Sequence, residues 1–537
     1  MENFTFSLLY PSSEARRAHQ NAAIRPAVSE ETAESLGLLD LIKLKNSSLC
    51  EYFTSDSDVI SYRAEIFSDM LNVKEVGETF VKVLPILSDI SELRRMASAS
   101  ERTTDDYLLS ISEIELYISS VEILRDGLLP LRDKLNSKSL LALCDYIAEI
   151  SGSEYYTELN EKLLELTNRV RDIKSVTIGV NLDATLQAEK CGVLSINAKP
   201  FKSGDTLDKI LRMSFKSDEY TLIAPLTPFS KSQNDNQKTA MSLALNGAIS
   251  NVFKTSIRSW KKIVQTYVLD NTNFLIEVMP EIEFAICATS LMQKLLDRSL
   301  PLCKPTLAPA DEKAFSAKEL YNPAVALAIE EESVKNDFAF DKDGTIYILT
   351  GPNRGGKSVI TCACGLAAAF CQLGMLVPAK EFTFSAASGI FTHFPTESGD
   401  TVDKGRLGEE CARLNEIFER CDDKSIILLD ESLSSTGAYE ASYIASEILL
   451  GFAKVGCRTI FSTHLHTLAA RVDELNEEAS LFGGAKMDTL VAKISEDGTR
   501  SFKILRTKPD GKSYAKDIAE KYGLSLEKIT DTIERNK

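Results

Sequence analysis

The sequence has little that would suit a membrane, a zinc-binding scaffold or a disulfide framework. No apolar run in the 537 residues approaches the roughly 20 residues that a membrane-spanning helix needs. The first six residues, M-E-N-F-T-F, lack the basic start and the apolar core of a secretory signal. The eleven cysteines include no C-x-x-C pair, which favours reduced and mostly buried thiols. These absences predict a protein without membrane segments that works in the cytoplasm.

An excess of positive charge is also missing, because the chain carries a formal net charge of −17. This balance argues against a uniformly basic nucleic-acid binder. The charge is unevenly distributed, however: residues 169–262 contain 15 Lys and Arg against 8 Asp and Glu, a net charge of +7. A basic segment in an acidic chain suits a localised contact with a polyanion, although a chance fluctuation would give the same count. Four basic residues close together in this segment are the first candidates for phosphate contacts: Lys199, Lys202, Lys209 and Arg212.

The first half of the chain has mostly helical periodicity. A chain of this length exceeds what one hydrophobic core supports, so about two to four domains are expected. Residues 1–30 are mixed in character and are predicted to form an irregular lead-in. From residue 32 to about 168, apolar residues recur at helical spacing, with the longest stripe at 107–129. Such stripes indicate helix–helix packing, so no ligand site is expected there.

A short β-rich region interrupts the helices. Its strand-like pieces lie at 176–180, 192–196 and 220–224. Helical spacing returns at 241 and continues to about 299, with Pro280 as a predicted kink or break. We therefore predict a helical core with lever helices over 31–305, carrying a clamp-like insertion at about 174–240. Two long arms with a basic tip are one geometry that fits this order.

Beyond residue 305 the pattern alternates between strand and helix. The predicted elements are strands at 346–350, 425–429 and 459–463 and helices at 357–373, 407–420 and 439–454. This order predicts an α/β nucleotide-binding domain with a mostly parallel sheet over 306–510. Residues 511–537 contain two short helical stretches around Gly523, which predict a C-terminal helix-turn-helix.

Residues 350–358 read T-G-P-N-R-G-G-K-S and fit the phosphate-binding P-loop between a buried strand and an apolar helix. The glycines let backbone N–H groups point at phosphate oxygens, and the helix N-terminus adds partial positive charge. Lys357 can reach the β- and γ-phosphates, and the Ser358 hydroxyl can hold Mg²⁺. The predicted ATP-binding residues are Gly351, Pro352, Asn353, Arg354, Gly355, Gly356, Lys357 and Ser358.

Two further strand ends carry residues suited to phosphate hydrolysis. Asp430 and Glu431 follow an apolar strand; such an Asp holds Mg²⁺, and the adjacent Glu can deprotonate the attacking water. His464 follows the next predicted strand and would lie beside the same phosphates as a γ-phosphate sensor. The predicted catalytic residues are thus Lys357, Glu431 and His464, and the predicted Mg²⁺ ligands are Ser358 and Asp430.

Two alternatives compete for these residues. His464 and His466 could form a metal site, but they lack a Cys, Asp or Glu neighbour at metal-ligand spacing. Residues 507–510, T-K-P-D, mimic a guanine-reading motif. The segment starting at Asp430 reads D-E-S-L, however, and lacks the D-x-x-G that is typical of GTPases. ATP is therefore the predicted nucleotide.

With these motifs in order, the chain resembles the MutS family of DNA-repair ATPases. The P-loop is similar to the family's T-G-P-N-x-G-G-K-S, and V-P-A at 377–379 matches the triplet after the P-loop helix. Asp430-Glu431 followed by Ser435-Thr436, and T-H-L-H at 463–466, resemble two further family motifs. The resemblance is specific over about residues 300–537 and architectural over 31–300.

The resemblance implies a homodimer with composite ATPase sites that clamps on double-stranded DNA containing a mismatch or a branch. It also implies an ABC-like fold for the ATPase domain. Two features depart from the family pattern. The mismatch-reading N-terminal domain with its F-x-E wedge is not found, and G-R-L-G-E-E at 405–410 takes the place of the S-T-F-M-x-E loop. In the family that loop meets the partner's γ-phosphate.

Two other functional interpretations therefore stay open. One is a DNA-structure binding protein that uses ATP as a latch with little turnover. The other is an SMC-like or transporter-type ATPase that does not act on mismatches. The transporter signature L-S-G-G-Q is absent from the sequence, which argues against a transporter subunit.

Overall fold

A computed structural model describes most of the chain outside the basic segment. The described residues are 6–21, 25–99, 105–154, 156–161, 163, 175–182, 184, 188–197, 274–352, 354–395, 405–494, 500–509 and 523–535. The labelled helices are α1 (Ser13–Gln20), α2 (Glu30–Ser35), α3 (Leu38–Leu41), α4 (Ser57–Asn72), α5 (Lys74–Ala99), α6 (Asp105–Leu128), α7 (Lys138–Ser151), α8 (274–297), α9 (Pro323–Ala328), α10 (Lys357–Gln372), α11 (Arg406–Arg420), α12 (Ala438–Val455), α13 (His466–Ala470), α14 (Val472–Ser480) and α15 (Leu526–Arg535).

The described strands form three sheets. The strands are β1 (Ser175–Leu182), β2 (Ala188–Asn197), β3 (Thr306–Leu307), β4 (Phe315–Leu320), β5 (Asn336–Phe340), β6 (Ile346–Thr350), β7 (Glu381–Phe384), β8 (Ile390–His393), β9 (Ile426–Asp430), β10 (Arg458–Ser462), β11 (Met487–Ile494) and β12 (Arg500–Arg506). The sheet orders are β1-β2, β12-β11-β6-β10-β9-β8 and β3-β7-β4-β5.

The chain forms two compact units that interleave along the sequence. The first contains Met1–Thr5, Glu78–Asp133 and Ala142–Met279, and the second contains Phe6–Gly77, Lys134–Leu141 and Pro280–Lys537. The units are defined by which residues pack together, and each combines segments from several parts of the chain. The domain limits expected at residues 30, 305 and 510 therefore stay predictions.

In the first unit, helices α5 and α6 both bury apolar residues, and Arg94 of α5 donates to the Glu113 carboxylate of α6 at 2.6 Å. Val83, Leu87 and Ile90 of α5 are fully buried, and so is Ile114 of α6. The unit also contains the antiparallel pair β1–β2, in which Val180 faces Cys191, so the first two β-rich pieces are strands. The third, at 220–224, and most of the basic segment lie outside the described residues.

Of the predicted kink or break at Pro280, the break is wrong, because residues 274–297 form one continuous helix. Proline removes one backbone hydrogen bond, but packing can outweigh that loss. The neighbouring Ile282 and Phe284 are buried, and the Pro280 carbonyl accepts a hydrogen bond from Tyr52 Oη at 3.1 Å. Tertiary contacts therefore hold the helix together at this position.

The N-terminal lead-in is also more regular than the sequence indicated. It contains α1, whose first turn is capped by Ser12 Oγ, accepting from the Ala15 N–H at 3.1 Å. Before α1, the carboxylate of Glu281 accepts hydrogen bonds from the Leu8 N–H at 2.6 Å and the Leu9 N–H at 3.2 Å. These long-range contacts fix a segment that has no periodicity of its own.

The six-stranded sheet confirms the predicted mostly parallel α/β arrangement. Five neighbouring strands, β11, β6, β10, β9 and β8, are parallel, and only the edge strand β12 is antiparallel. Every residue of β6, β9 and β10 is buried, since parallel strands are covered on both faces, and this burial explains the apolar runs in β6 and β9.

The smaller sheet and the C-terminus complete the described part of the second unit. Phe315 of β4 lies edge-on to Phe338, Phe340, Phe382 and Phe384, which form the aromatic core of the four-stranded sheet. Helix α15 corresponds to the second predicted C-terminal helix, and the first lies outside the described residues. Among the helices that the structure describes, none is long and apolar enough to cross a bilayer.

Replacement of Gly374 by alanine tests the contact between the end of α10 and α4. Gly374 has φ of +79°, and an added Cβ would overlap Arg63 Cβ. Gly37 has φ of +72° with nothing within 4 Å of an added Cβ, so Gly37→Ala is the matched control.

We expect Gly37→Ala to lower the free energy of unfolding by about 1 kcal/mol through backbone strain alone. Gly374→Ala should cost roughly 2 kcal/mol more, because the buried Arg63 cannot move aside without losing packing. Urea unfolding followed by circular dichroism measures both values, and equal losses would contradict this account of the junction.

Candidate nucleotide site

Three strand ends meet at one edge of the six-stranded sheet. β10 lies between β6 and β9, so that Ser462 pairs with Leu349 on one side and with Asp430 on the other. Because the three strands are parallel, the segments that follow them leave from the same edge. The P-loop, Glu431 and His464 are therefore brought together although His464 lies 107 residues after Lys357 in sequence.

The P-loop adopts a backbone that needs its glycines. Gly351 has φ of +139°, and an added Cβ would lie 2.8 Å from Ala492 Cβ. Gly356 has φ of +94° and is the N-cap residue of α10. Arg354 is exposed, with φ of +59°. Asn353, which the sequence placed among the phosphate-binding residues, lies outside the described part of the chain.

Lys357 lies beneath the loop and is only 4% exposed. Its amine donates hydrogen bonds to the carbonyl oxygens of Gly351 at 3.1 Å and Pro352 at 3.2 Å. Burial lowers the pKa of Lys357, while the negative charges of Glu431 and Asp430 oppose that shift. The loop thus holds a cation close to two carboxylates, at the position where phosphate charge would accumulate.

His464 connects this cation to Glu431. Its Nε2 lies 2.5 Å from Glu431 Oε1, and its Nδ1 lies 3.5 Å from Lys357 Nζ. Since the ammonium group can only donate, Nδ1 is the acceptor and the ring proton lies on Nε2, where it is donated to Glu431. Both the His464 and Glu431 side chains are 38% exposed, so water can reach the carboxylate.

Asp430 has the character of a divalent-cation ligand. It is 6% exposed, and its Oδ1 is buried without a hydrogen-bond partner among the described residues. Ser462 Oγ, on the neighbouring strand, is also buried without a hydrogen-bond partner among the described residues. An unpaired buried carboxylate oxygen is costly in isolation and suits a hard cation such as Mg²⁺. Ser358 is exposed in the first turn of α10, so these residues fit the ion.

The two-histidine metal site finds no support in the described part of the chain. His466 Nδ1 lies 2.8 Å from Thr350 Oγ1, in a hydrogen bond that ties the start of α13 to the end of β6. No group of three or more His, Cys, Asp or Glu suited to a metal ion occurs among the described residues. Mg²⁺ would therefore depend on phosphate oxygens for most of its coordination.

Sequence reasoning missed a buried histidine, His393, which lies behind the site. His393 ends β8 and is 2% exposed, and its Nδ1 lies 2.7 Å from Ser432 Oγ. Burial lowers its pKa to about 4, and the charge of Arg413 acts in the same direction, so the ring is neutral at pH 7. The only local signal was a polar residue directly after Asp430-Glu431, and nothing in the sequence pointed to its partner.

A groove of about 800 Å³ opens between β12 and the segment that enters β5. Its lining includes Asn336, Ile504 and Leu505. The Asn336 Nδ2 group donates to the Phe502 carbonyl at 3.2 Å, and a Cβ added to Gly356 would lie 3.5 Å from Phe502 Cδ1. Phe502 therefore lies near both the start of α10 and a residue that lines the groove.

The guanine-reading alternative gains nothing from the described residues. Lys508, the lysine of T-K-P-D, lies with its Nζ 2.5 Å from Asp473 Oδ2 on α14 and is not part of the groove lining. Asp510 lies outside the described residues.

Comparison with known proteins gives two family matches. Residues 347–535 match the family model described as MutS domain V, and residues 55–298 match the one described as MutS2 N-terminal domain. The first range lies in the α/β half of the chain, and the second lies in the helical half.

Curated relatives are similar to this chain over less than half of its length. The DNA mismatch repair protein MutS of Lactobacillus delbrueckii subsp. bulgaricus is 30% identical over 226 residues, covering 41% of this chain and 25% of that protein. The DNA mismatch repair protein MSH3 of Cryptococcus neoformans is 31% identical over 196 residues, covering 36% of this chain and 16% of that protein. The matched region thus spans a quarter or less of these relatives.

The Asp430→Asn variant tests the buried oxygen. The substitution removes a buried charge that has an unpaired oxygen. The free energy of unfolding of the ligand-free variant should therefore equal that of the wild type or exceed it by up to about 1 kcal/mol. The rise in melting temperature on adding MgCl₂ and ATP should shrink, because one cation ligand is lost.

The matched control is Asp343→Asn, an exposed carboxylate paired with Lys486, which should keep the full ligand-induced rise. Differential scanning fluorimetry measures all three proteins. A full rise in Asp430→Asn would remove Asp430 from the cation site.

Proposed function

The chain belongs to the MutS family, and we propose that it is a Mg²⁺-dependent ATPase that couples hydrolysis to clamping on mismatched or branched DNA. The observation that carries the ATPase part is the row Lys357–His464–Glu431 at the mouth of the P-loop. A buried cation, an oriented imidazole and a solvent-accessible carboxylate are the groups that phosphoryl transfer to water requires.

The proposed reaction gives each group one role. ATP phosphates would lie against the backbone N–H groups of the loop and the N-terminus of α10. The Lys357 amine, which now satisfies loop carbonyls, would turn to the β- and γ-phosphate oxygens. Mg²⁺, held by Ser358 and Asp430, would neutralise charge on the same phosphates.

Glu431 is the proposed general base. One carboxylate oxygen, Oε1, is held by His464 Nε2, which leaves Oε2 to accept a proton from the attacking water. The water oxygen then attacks the γ-phosphorus in line with the leaving oxygen of ADP. His464 would detect the γ-phosphate because the phosphate competes for Lys357, the neighbour of its Nδ1.

The adenine base would occupy the groove beside Phe502. Phe502 lies near both the start of α10 and the groove-lining Asn336, and the lining combines aliphatic side chains with the Asn336 amide. This placement supports ATP as the nucleotide, since Lys508 of the guanine-like motif lies away from the groove lining.

DNA binding is proposed for the basic segment 169–262, on the strength of its charge in the sequence. A homodimer is proposed with α15 as one contact. Leu526, Ile529 and Ile533 of this helix are 82%, 37% and 53% exposed within one chain, which is costly unless a partner covers them. A dimer would allow each ATP to be contacted by both subunits.

The second candidate is an ATP-latched binding protein with little turnover. It is favoured by residues 405–410, which stand where the family has its signature loop. Gly405 is the N-cap residue of α11. Multiple-turnover kinetics separate the two: a latch binds ATP tightly and releases about one phosphate per site.

Two substitutions test the hydrolytic roles. Lys357→Ala and Glu431→Ala should each lower the rate of phosphate release about 100-fold or more, because transition-state charge and water activation are lost. Glu431→Ala should still bind ATP, whereas Lys357→Ala should bind it weakly.

The matched control is Glu477→Ala, an exposed glutamate on α14 that should hydrolyse ATP at the wild-type rate. A coupled phosphate-release assay with Mg²⁺ measures all of these rates. Wild-type turnover by Glu431→Ala would refute its role as the base.

DNA affinity should depend strongly on salt through the basic segment. Replacing Lys199, Lys202, Lys209 and Arg212 by Ala should flatten the slope of log affinity against log salt by about one to four units. ATP affinity should remain unchanged. The control replaces four exposed lysines of the α/β half: Lys318, Lys342, Lys380 and Lys486. Fluorescence anisotropy with labelled duplex gives both slopes, and equal slopes would remove the segment from the DNA interface.

A further inference from the structure

His393 and Ser432 form a buried polar pair directly behind the proposed general base. His393 Nδ1 lies 2.7 Å from Ser432 Oγ, and Ser432 Oγ also lies 3.3 Å from the His393 carbonyl oxygen. The two side chains are 2% and 5% exposed. The pair joins the end of β8 to the residue that follows Glu431, across 39 positions of sequence.

The loop that this pair holds is locally disfavoured. Glu431 has φ of +49° and Leu433 has φ of +64°, so left-handed residues that are not glycine stand on both sides of Ser432. Such a backbone persists only where surrounding contacts enforce it. On the Glu431 side, the enforcing contact is the Glu431 N–H, which donates to the Ser462 carbonyl at 2.9 Å. Around Ser432, the hydrogen bonds to His393 fix the same loop.

Helix α11 packs against β8, the strand that ends at His393. The Glu410 main chain and the Arg413 guanidinium are the groups of α11 that act on the ring. His393 Nε2 and Glu410 Oε2 are both buried without a hydrogen-bond partner among the described residues. Since the His393 carbonyl can only accept, the Ser432 hydroxyl donates to it, and the Nδ1–H of His393 donates to Ser432 Oγ, which leaves Nε2 as an unprotonated acceptor.

We propose that His393 is a positioning residue that holds the loop carrying Glu431 in its catalytic conformation and connects that loop to α11, which packs against β8. A displacement of α11 reaches Glu431 through His393 and Ser432. The role deepens the ATPase function proposed above and depends on it. The pair touches neither the loop carbonyls nor Lys357, so ATP binding does not require it.

A double-mutant cycle on the pair separates positioning from general packing. We expect Ser432→Ala and His393→Ala each to slow single-turnover hydrolysis of Mg-ATP about tenfold, the effect of losing one buried hydrogen bond. The double variant should be no slower than either single variant, because both remove the same contact. The dissociation constant for ATP should stay within about twofold of the wild-type value.

Two further variants keep the test decisive. His393→Asn should restore most of the rate, because its amide can occupy the position of Nδ1. Ser446→Ala removes a buried serine hydrogen bond of 2.9 Å to Ser442 O on α12, and it should match the wild-type rate. If His393→Ala does not fold, Ser432→Ala and His393→Asn carry the test, with melting temperatures recorded for each.

The possible failures are distinguishable. Wild-type rates in Ser432→Ala and His393→Ala, beside an active wild type, would overturn the positioning role alone. Losses that multiply in the double variant, or equal losses in Ser446→Ala, would also overturn it, since they indicate independent or general destabilisation. A wild type that releases no phosphate would overturn the ATPase proposal and this inference together.

Discussion

The register between three parallel strands is the constraint on which the candidate site depends. Leu349, Ser462 and Asp430 lie in one row because β10 pairs with β6 on one side and β9 on the other. A slip of one residue in β9 would turn its carboxylate to the opposite face of the sheet. That register is specified by strands buried along their whole length. The ionic groups are thus positioned by apolar packing, and their mutual attraction is a consequence.

The P-loop helix is fixed at both ends by the same unit. At its start, Lys357 fastens the helix to the loop carbonyls. At its end, the Thr54 N–H donates to the Gln372 carbonyl at 2.9 Å, and fully buried Arg63 donates to the Tyr52 carbonyl at 2.5 Å and the Leu373 carbonyl at 3.4 Å. Movement of α10 on nucleotide binding would therefore be shared with the segment that leads into α4.

The meeting of Lys357, Glu431 and His464 at one sheet edge could be predicted from the sequence, because its signals are local. Each predicted group follows an apolar strand directly, and parallel topology brings strand ends together wherever the strands lie in the chain. The pairing of His393 with Ser432 could not be predicted in this way, because each residue is unremarkable in its own segment and the contact exists only through strand order. The continuous helix through Pro280 was missed for a related reason, since tertiary packing outweighed a local preference.

For the helical half, only the structural class could be predicted from the sequence. Helical spacing over residues 32–168 predicted helices in this half, but the burial of Leu8 and Leu9 against Glu281 depends on residues more than 270 positions away. Most of the basic segment and Asn353 lie outside the described residues, so their roles rest on charge and motif alone. The domain limits and the C-terminal helix-turn-helix likewise stay predictions.

The central claim is that the ATP state of this site controls a grip on DNA. It is tested most directly by competition binding among homoduplex, mismatched duplex and four-way junction, with and without Mg-ATP, using the full-length chain and the Glu431→Ala variant. The account predicts that Mg-ATP changes the affinity or the lifetime on mismatched or branched DNA, and that Glu431→Ala retains the ATP-bound behaviour. Binding that is identical with and without nucleotide on every DNA, or no DNA binding at all, would contradict it.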